Sequence, residues 1–165
     1  MRVPAFWAGL RGDQAGSFRL MNAETGHVVA QIVEPAITRA ARNQGLLGRD
    51  RLDPSTALLI APCFAVHTFR MRFAIDVIFV AKDGRVVRIV TDLGRSRMAG
   101  SLRAAAVVEL AAGTLKSLAI SVGDRLYLAP GGDSLAIVAP RCEPVSSQNS
   151  TTRGWRSRVA WTIPR

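Results

Sequence analysis

The stretch CFAVHTFRMRFAIDVIFV, residues 63–80, is the most apolar part of the chain, and it decides how the rest is interpreted. Several polar side chains nevertheless lie inside it, among them His67, Arg70, Arg72 and Asp76. Burying such a group without a hydrogen-bond partner is costly, so each must be paired or must face a cleft. The stretch is therefore predicted to form both the core of the fold and the wall of any binding site.

Strand patterns continue on both sides of this stretch. Residues 75–81 are almost all apolar, which is typical of a strand buried on both faces. Asp83-Gly84 supplies the positive φ angles of a tight hairpin turn, so residues 78–80 should pair with residues 86–89. Further strands are predicted at residues 17–21, 27–34, 57–61, 104–110 and 125–129, and residues 134–139 could add one more.

One helix is predicted ahead of the central stretch. Thr38 is suited to the N-cap position, where its hydroxyl accepts an orphan backbone N–H. Gly45 fits the end of the helix, and Arg39 and Arg42 should share one of its faces. One or two further helical turns are expected at residues 114–120. Few helical segments among many strands indicate an α+β domain that is mainly β, a small curled sheet or open barrel-like domain with one helix packed across it.

Composition divides the chain into three parts. Residues 1–17 contain three glycines and little periodicity, and we predict a loose N-terminal extension there. Residues 18–140 should form a single β-rich domain. Residues 141–165 are predicted to be a basic disordered tail, because most of this segment is polar and lacks hydrophobic periodicity.

The chain is basic, with 165 residues and a formal net charge of +10. Residues 18–129 hold 15 Lys and Arg against 9 Asp and Glu, a balance of +6, and residues 145–165 add four arginines and no acid. Such charge attracts nucleic acid or anionic lipid without sequence preference. We expect no specific nucleic-acid recognition, because few exposed aromatic side chains are predicted between the arginines.

Cysteine content and hydropathy indicate the compartment. Cys63 and Cys142 are too few for a disulfide framework, and Cys63 has the surroundings of a buried thiol. No stretch approaches the ~18–20 apolar residues of a membrane helix. The apolar run near the start is broken by Pro4 and Arg11 and is too short for a secretory signal. We therefore expect a soluble cytoplasmic protein without a transmembrane segment.

Four segments in this order resemble a known family. They are TRAARNQGLLGR (residues 38–49), HTFRMRFAIDVIFVAKDGRVVRI (67–89), VVELAAGT (107–114) and GDRLYL (123–128). The chain is similar, over about residues 18–129, to the bacterial and archaeal family called domain of unknown function 192. Many relatives carry an aromatic and Trp-Met-Lys-Asn where this chain has residues 67–73, and a proline where it has Ala74. The resemblance implies a small, mostly β, barrel-like domain with a helix. It implies no established activity, substrate or cofactor.

Polar residues within the resembling segments are the candidate ligand-binding residues: Arg39, Arg42, His67, Thr68, Arg72, Asp76 and Glu109. One hypothesis is a buried ion-pair network in which Arg39 or Arg42 meets Asp76 or Glu109, and we expect Asp76 to pair with one of these arginines. The other is a cleft whose arginines bind a carboxylate or phosphate.

Metal and nucleophile chemistry are weaker possibilities. Cys63 and His67 lie ~13 Å apart in an extended strand, so we predict no metal site. Cys63, His67 and Asp76 are suitable residue types for a nucleophilic set, provided that the fold brings them together.

Three functional hypotheses follow. The first is a non-enzymatic binding or interaction module without a cofactor, whose partner is an anionic small molecule or a protein. The second is a small hydrolase or transferase acting on an anionic substrate through His67 with Asp76 or Glu109. The third is a weak, non-specific nucleic-acid binder.

Overall fold

The computed structural model describes residues 5–10 and 18–131, and the structural statements below concern these residues. Within them the chain forms ten strands and two short helices. In order these are β1 (Phe18–Asn22), β2 (Val28–Ala30), β3 (Ile32–Ala36), α1 (Arg39–Gln44), β4 (Thr56–Ile60), β5 (Ala65–His67), β6 (Ile75–Val80), β7 (Val86–Leu93), β8 (Met98–Gly100), β9 (Ala106–Ala111), α2 (Thr114–Ser117) and β10 (Leu126–Pro130).

The described strands form three sheets. The largest has the order β3-β4-β9-β6-β7, the second β10-β1-β2, and the third is the two-stranded ribbon β5-β8. β3 and β4 run parallel, and the other neighbouring strands run antiparallel. The described sheets do not close into a barrel, so the fold is a mainly β, α+β domain with open sheets, as the sequence predicts.

Several predicted elements are confirmed. β6 pairs with β7 through Ile78 with Ile89 and Val80 with Val86, and all six residues of β6 are buried. Thr38 caps α1, since its side chain accepts the N–H of Ala41 at 3.1 Å.

Two elements differ from the prediction. The strand expected at residues 27–34 is divided into β2 and β3, and β3 continues through Pro35. A proline is tolerated there because β3 is an edge strand of its sheet, where a missing N–H breaks no ladder. No strand was predicted between β7 and β9, but residues 98–100 form β8, which pairs with β5.

A hydrophobic cluster lies on each face of the five-stranded sheet. On one face Leu59, Ile78 and Val108 pack with Leu20 and Leu126 of the three-stranded sheet. On the other face a second cluster is formed by Leu58, Ile60, Val77, Phe79, Leu46, Val66 and Met71. The region between α1 and β5 on this second face holds the candidate site.

Part of the N-terminal segment packs against the first cluster. Leu10 is buried among its members, and Phe6 and Trp7 pack against the same cluster. The rings of Phe6 and Trp7 meet edge to face, with their centroids 5.2 Å apart. The N–H of Phe6 also donates to the carbonyl of Lys82 at 3.1 Å. Residues 5–10, within the predicted N-terminal extension, therefore pack against the core of the described domain. The predicted strand at residues 134–139 and the predicted tail at residues 141–165 lie outside the described residues.

In the part of the chain that the structure describes, no helix has the length and apolar character needed to cross a membrane.

Candidate functional site

A cavity of about 430 Å³ opens between the C-terminal end of α1, the end of β4 and β5. Its polar lining comes from Arg42, Asn43, Gln44, Cys63, His67 and Glu109. The remaining walls are mostly apolar and include Leu46, Val66 and Met71 of the second hydrophobic cluster. An apolar cavity with a few converging polar groups is the usual form of a small-molecule site.

α1 brings Arg42 to the cavity wall. The helix ends at Gly45, where φ is +48° and the N–H donates to the carbonyl of Ala41 at 2.8 Å. Arg42 lies in the last turn, and its Nη1 donates to the carbonyl of Ile37 at 2.5 Å. Because a guanidinium has five N–H donors, this bond leaves others for a ligand.

Glu109 is the most unusual residue of the cavity. It lies on the central strand β9, opposite Leu58 and Val77, and only 4% of the residue is exposed. None of the described residues donates a hydrogen bond to its carboxyl group or forms an ion pair with it. Burial raises the pKa of Glu109 to about 7, although the charge of Arg49 acts in the opposite direction. The cavity thus holds a buried acid whose hydrogen-bonding capacity is unused by the described residues.

Cys63 and His67 line the same cavity with different exposure. The Cys63 thiol is half-buried and donates to the carbonyl of Ala65 at 3.1 Å. Burial raises the pKa of this thiol, and the nearby Glu109 carboxylate acts in the same direction. His67 is exposed, with its ring 5.3 Å from the ring of Phe69.

Asp76 is not part of this cavity. In the register of β6 and β9, Asp76 lies opposite Leu110, and the next residue, Val77, lies opposite Glu109. Because successive residues of a strand point to opposite faces, Asp76 and Glu109 face opposite sides of the sheet. Its two carboxylate oxygens accept the N–H groups of Asp92 and Leu115, each at 2.8 Å. The expected pairing of Asp76 with Arg39 or Arg42 is therefore wrong, because backbone donors rather than a guanidinium satisfy this buried carboxylate.

The expected ion-pair network is also absent from the described residues. The four ion pairs found there join Arg49 to Glu34, Arg72 to Asp50, and both Arg85 and Arg125 to Asp83. α1 turns Arg42 back toward Ile37 and leaves Arg39 exposed, so neither guanidinium compensates Glu109.

The remaining candidates lie outside the cavity lining. Thr68 is fully buried; its hydroxyl donates to the carbonyl of Gly94 at 2.6 Å and accepts the N–H of Arg97 at 2.9 Å. Arg72 is exposed and paired with Asp50. Of the seven candidates, the structure thus brings together Arg42, His67 and Glu109.

Sequence reasoning missed Asn43 and Gln44 as cavity residues and grouped Cys63 with the wrong acid. The acid that accompanies Cys63 and His67 in the cavity is Glu109, not Asp76. A signal for Asn43 and Gln44 was present in the sequence. They directly follow the candidate Arg42 in the last turn of the helix, just before the glycine that ends it. Among the described residues no group of three or more His, Cys, Asp and Glu side chains is arranged to hold a metal ion.

Open, mainly antiparallel sheets with two short helices and a cavity over one sheet face define a mainly β, α+β domain. The family model DUF192, described as an uncharacterised ACR, matches residues 20–128, and the chain belongs to this family. The family is uncharacterised, so membership defines the fold and leaves the activity open.

Two solved structures are similar to this chain. One is a candidate transcription regulator from Sinorhizobium meliloti, with 30% identity, a TM-score of 0.60, and coverage of 67% of this chain and 91% of that chain. The other is a protein of unknown function from Novosphingobium aromaticivorans, with 24% identity, a TM-score of 0.58, and coverage of 66% of this chain and 82% of that chain. The second likeness shows the fold alone. A search of curated proteins finds no match.

Proposed function

We propose that this domain is a binding module for a small organic molecule, which occupies the cavity between α1, β4 and β5. The observation that carries the proposal is the buried carboxyl group of Glu109, which borders the cavity and has no hydrogen-bond partner among the described residues. A hydrogen bond to a charged group contributes about 1.5–3 kcal/mol, so a ligand that donates to this carboxyl group gains affinity from the contact.

The two charged cavity residues define the ligand that we expect. Arg42 can donate to a carboxylate, phosphate or carbonyl oxygen of the ligand. Glu109 requires an N–H or O–H donor, and its ionised form also favours a cationic group. The sequence alone suggested an anionic small molecule or a protein as the partner; the cavity instead favours a molecule with an acceptor at one position and a donor at another, as in a small zwitterion.

A nucleophilic enzyme is less well supported. The thiolate is the reactive form of cysteine, and burial raises the pKa of Cys63 away from that form. The Cys63 thiol is also held by the carbonyl of Ala65 rather than by a general base. The hydrolase or transferase hypothesis and weak nucleic-acid binding both remain predictions.

A thermal-unfolding screen tests the binding proposal. The panel contains small zwitterions, carboxylates, amines and amidines, each added to the full chain at pH 6 and pH 8. A ligand present at about a hundred times its Kd stabilises the folded state by about 2.7 kcal/mol. Each stabilising compound is then titrated by calorimetry into the wild type, Arg42→Ala and Glu109→Gln.

We expect the zwitterions to bind, with at least a tenfold loss of affinity in each of the two variants. Glu24→Gln is the control, because it removes an exposed carboxylate outside the cavity. The proposal is wrong if no compound in the panel stabilises the protein, or if the stabilising compounds bind both cavity variants as tightly as the wild type.

A further inference from the structure

We propose that the surface formed by residues 63–73 and 94–104 docks the protein on an anionic lipid membrane. This surface, the ribbon surface, contains β5 and β8 with their flanking turns. The inference goes beyond the proposed ligand binding, because it depends on exposed side chains and not on the contents of the cavity.

Exposed apolar side chains are concentrated on the ribbon surface. The described residues contain seven large hydrophobic side chains that are exposed: Ile32, Phe64, Phe69, Met98, Leu102, Val122 and Tyr127. Four of the seven belong to the ribbon surface, and Leu102, at 94%, and Met98, at 67%, are the most exposed of all. Such a concentration on one small surface marks an interaction site rather than the ordinary scatter of single apolar residues.

Backbone contacts hold these side chains in two groups at the ends of the ribbon. At one end the N–H of Ser101 donates to the carbonyl of Phe64 at 2.8 Å, and Leu102 follows Ser101 in the chain. At the other end Met98 pairs with His67, whose ring contacts the ring of Phe69. The buried hydroxyl of Thr68 joins the two segments by its bonds to Gly94 and Arg97.

Positive charge surrounds the apolar groups. The two segments contain five arginines and no acidic residue: Arg70, Arg72, Arg95, Arg97 and Arg103. All five are exposed. Arg72 pairs with Asp50 from outside the surface, and Nε of Arg95 donates to the carbonyl of Met71 at 3.2 Å, so the remaining three are the freest to meet an anionic partner.

This combination fits a lipid surface better than a nucleic acid. Membrane-binding surfaces combine apolar side chains that enter the acyl boundary with basic residues that attract anionic headgroups. The two most exposed apolar residues here, Leu102 and Met98, are not aromatic, which suits insertion into lipid, whereas only Phe64 and Phe69 of this surface could stack on the bases of a single-stranded nucleic acid.

Co-sedimentation of the full chain with lipid vesicles tests the proposal. We expect binding to vesicles of phosphatidylcholine mixed with phosphatidylglycerol, and at least tenfold weaker binding to phosphatidylcholine alone. The variant Arg97→Gln with Arg103→Gln should weaken binding about 30-fold, at about 1 kcal/mol for each basic residue near the membrane. Met98→Ser with Leu102→Ser should weaken it at least tenfold.

Matched controls assign any loss to the ribbon surface. Arg39→Gln with Arg51→Gln removes the same charge from exposed positions elsewhere, and Val122→Ser removes an exposed apolar side chain elsewhere. Residues 145–165, with their four arginines, are intact in every variant. The proposal is overturned if the ribbon variants bind vesicles like their controls, or if the protein prefers polyglutamate or a DNA duplex to the anionic vesicles.

Discussion

The carboxylate of Asp76 accepts a hydrogen bond from the backbone N–H of Leu115 at 2.8 Å, although the two residues lie 39 positions apart in the chain. Its other oxygen accepts the N–H of Asp92 at 2.8 Å. Leu115 belongs to the first turn of α2, whose N-cap Gly113 supplies no side-chain cap. Asp92 has a φ of +53° where the register between β6 and β7 shifts. One carboxylate thus satisfies donors left over by a helix start and by a strand irregularity.

Replacing Asp76 should therefore destabilise the fold. Asp76→Ala leaves two N–H groups without an acceptor, at about 1–3 kcal/mol each, and we expect the free energy of unfolding to fall by about 2–6 kcal/mol. Urea denaturation measures this change. Asp50→Ala is the control, because it removes an exposed carboxylate from a surface ion pair and should cost no more than about 1 kcal/mol.

A double-mutant cycle separates this role from an ion pair with α1. Asp76 and Arg42 lie on opposite sides of the five-stranded sheet, so the coupling of Asp76→Ala with Arg42→Ala should be below about 0.5 kcal/mol. A coupling of several kcal/mol would instead restore the arginine partnership that the sequence suggested.

Glu109 should make the stability of the protein depend on pH. Its pKa is raised from 4.5 to about 7 in the folded state, so the folded protein binds more protons than the unfolded chain between these two values. The contribution of Glu109 to the free energy of unfolding is therefore fully present below pH 4.5. It falls as the pH rises and is gone above about pH 7. The loss is on the order of 3 kcal/mol.

The variant Glu109→Gln removes the titrating group. In urea denaturation, the free energy of unfolding of the wild type should fall between pH 5 and pH 8 by more than that of Glu109→Gln. The control Glu24→Gln should show the same fall between the two pH values as the wild type. Equal pH dependence of the wild type and Glu109→Gln would show that the carboxyl of Glu109 is compensated in the folded protein.

Local signals account for the part of the fold that the sequence predicts well. The Asp83-Gly84 turn, the Thr38 N-cap and the apolar run of β6 each depend on a few neighbouring residues, and all three are present in the structure. β8 was missed because its three residues carry too little periodicity to be distinguished from a polar loop.

The candidate site could be predicted only in part, because its properties depend on distant segments. Glu109 stood out in the sequence as an acid within an apolar strand. Whether an arginine reaches it depends on the last turn of α1, where the guanidinium of Arg42 bonds the carbonyl of Ile37 instead. The partners of Asp76 are backbone groups, and backbone groups have no signature in the sequence.

Removal of the Leu10 side chain should destabilise the domain. Leu10 is 7% exposed within the first hydrophobic cluster, and Leu10→Ala should lower the free energy of unfolding by about 2–4 kcal/mol through lost burial and the cavity left behind. The comparison is Leu102→Ala, at a leucine that is 94% exposed, for which we expect a change within about 0.5 kcal/mol. Similar melting temperatures for the two variants would show that residues 5–10 contribute little to the core.

Gly84 should be the least replaceable glycine of the described residues. The turn that it forms between β6 and β7 also contacts β10, since the carbonyl of Gly84 accepts the N–H of Leu126 at 2.8 Å. A Cβ atom at Gly84 would lie 2.3 Å from the carbonyl oxygen of Leu126, and the φ of Gly84 is +89°. The carbonyl of Leu126 belongs to the backbone and cannot move aside as the end of a side chain can. Gly84→Ala must therefore separate the turn from β10, and alanine must also adopt an unfavourable φ.

Gly113→Ala provides the matched control for Gly84→Ala. Gly113 has nearly the same φ, +87°, but a Cβ atom there would meet nothing within 4 Å. The control should therefore cost only the left-handed conformation, about 1–2 kcal/mol, whereas Gly84→Ala should cost about 1–3 kcal/mol more through the clash. Chemical denaturation of both variants gives the two free energies. Equal losses would mean that the turn and β10 move apart freely, and that their contact does not hold the hairpin in place.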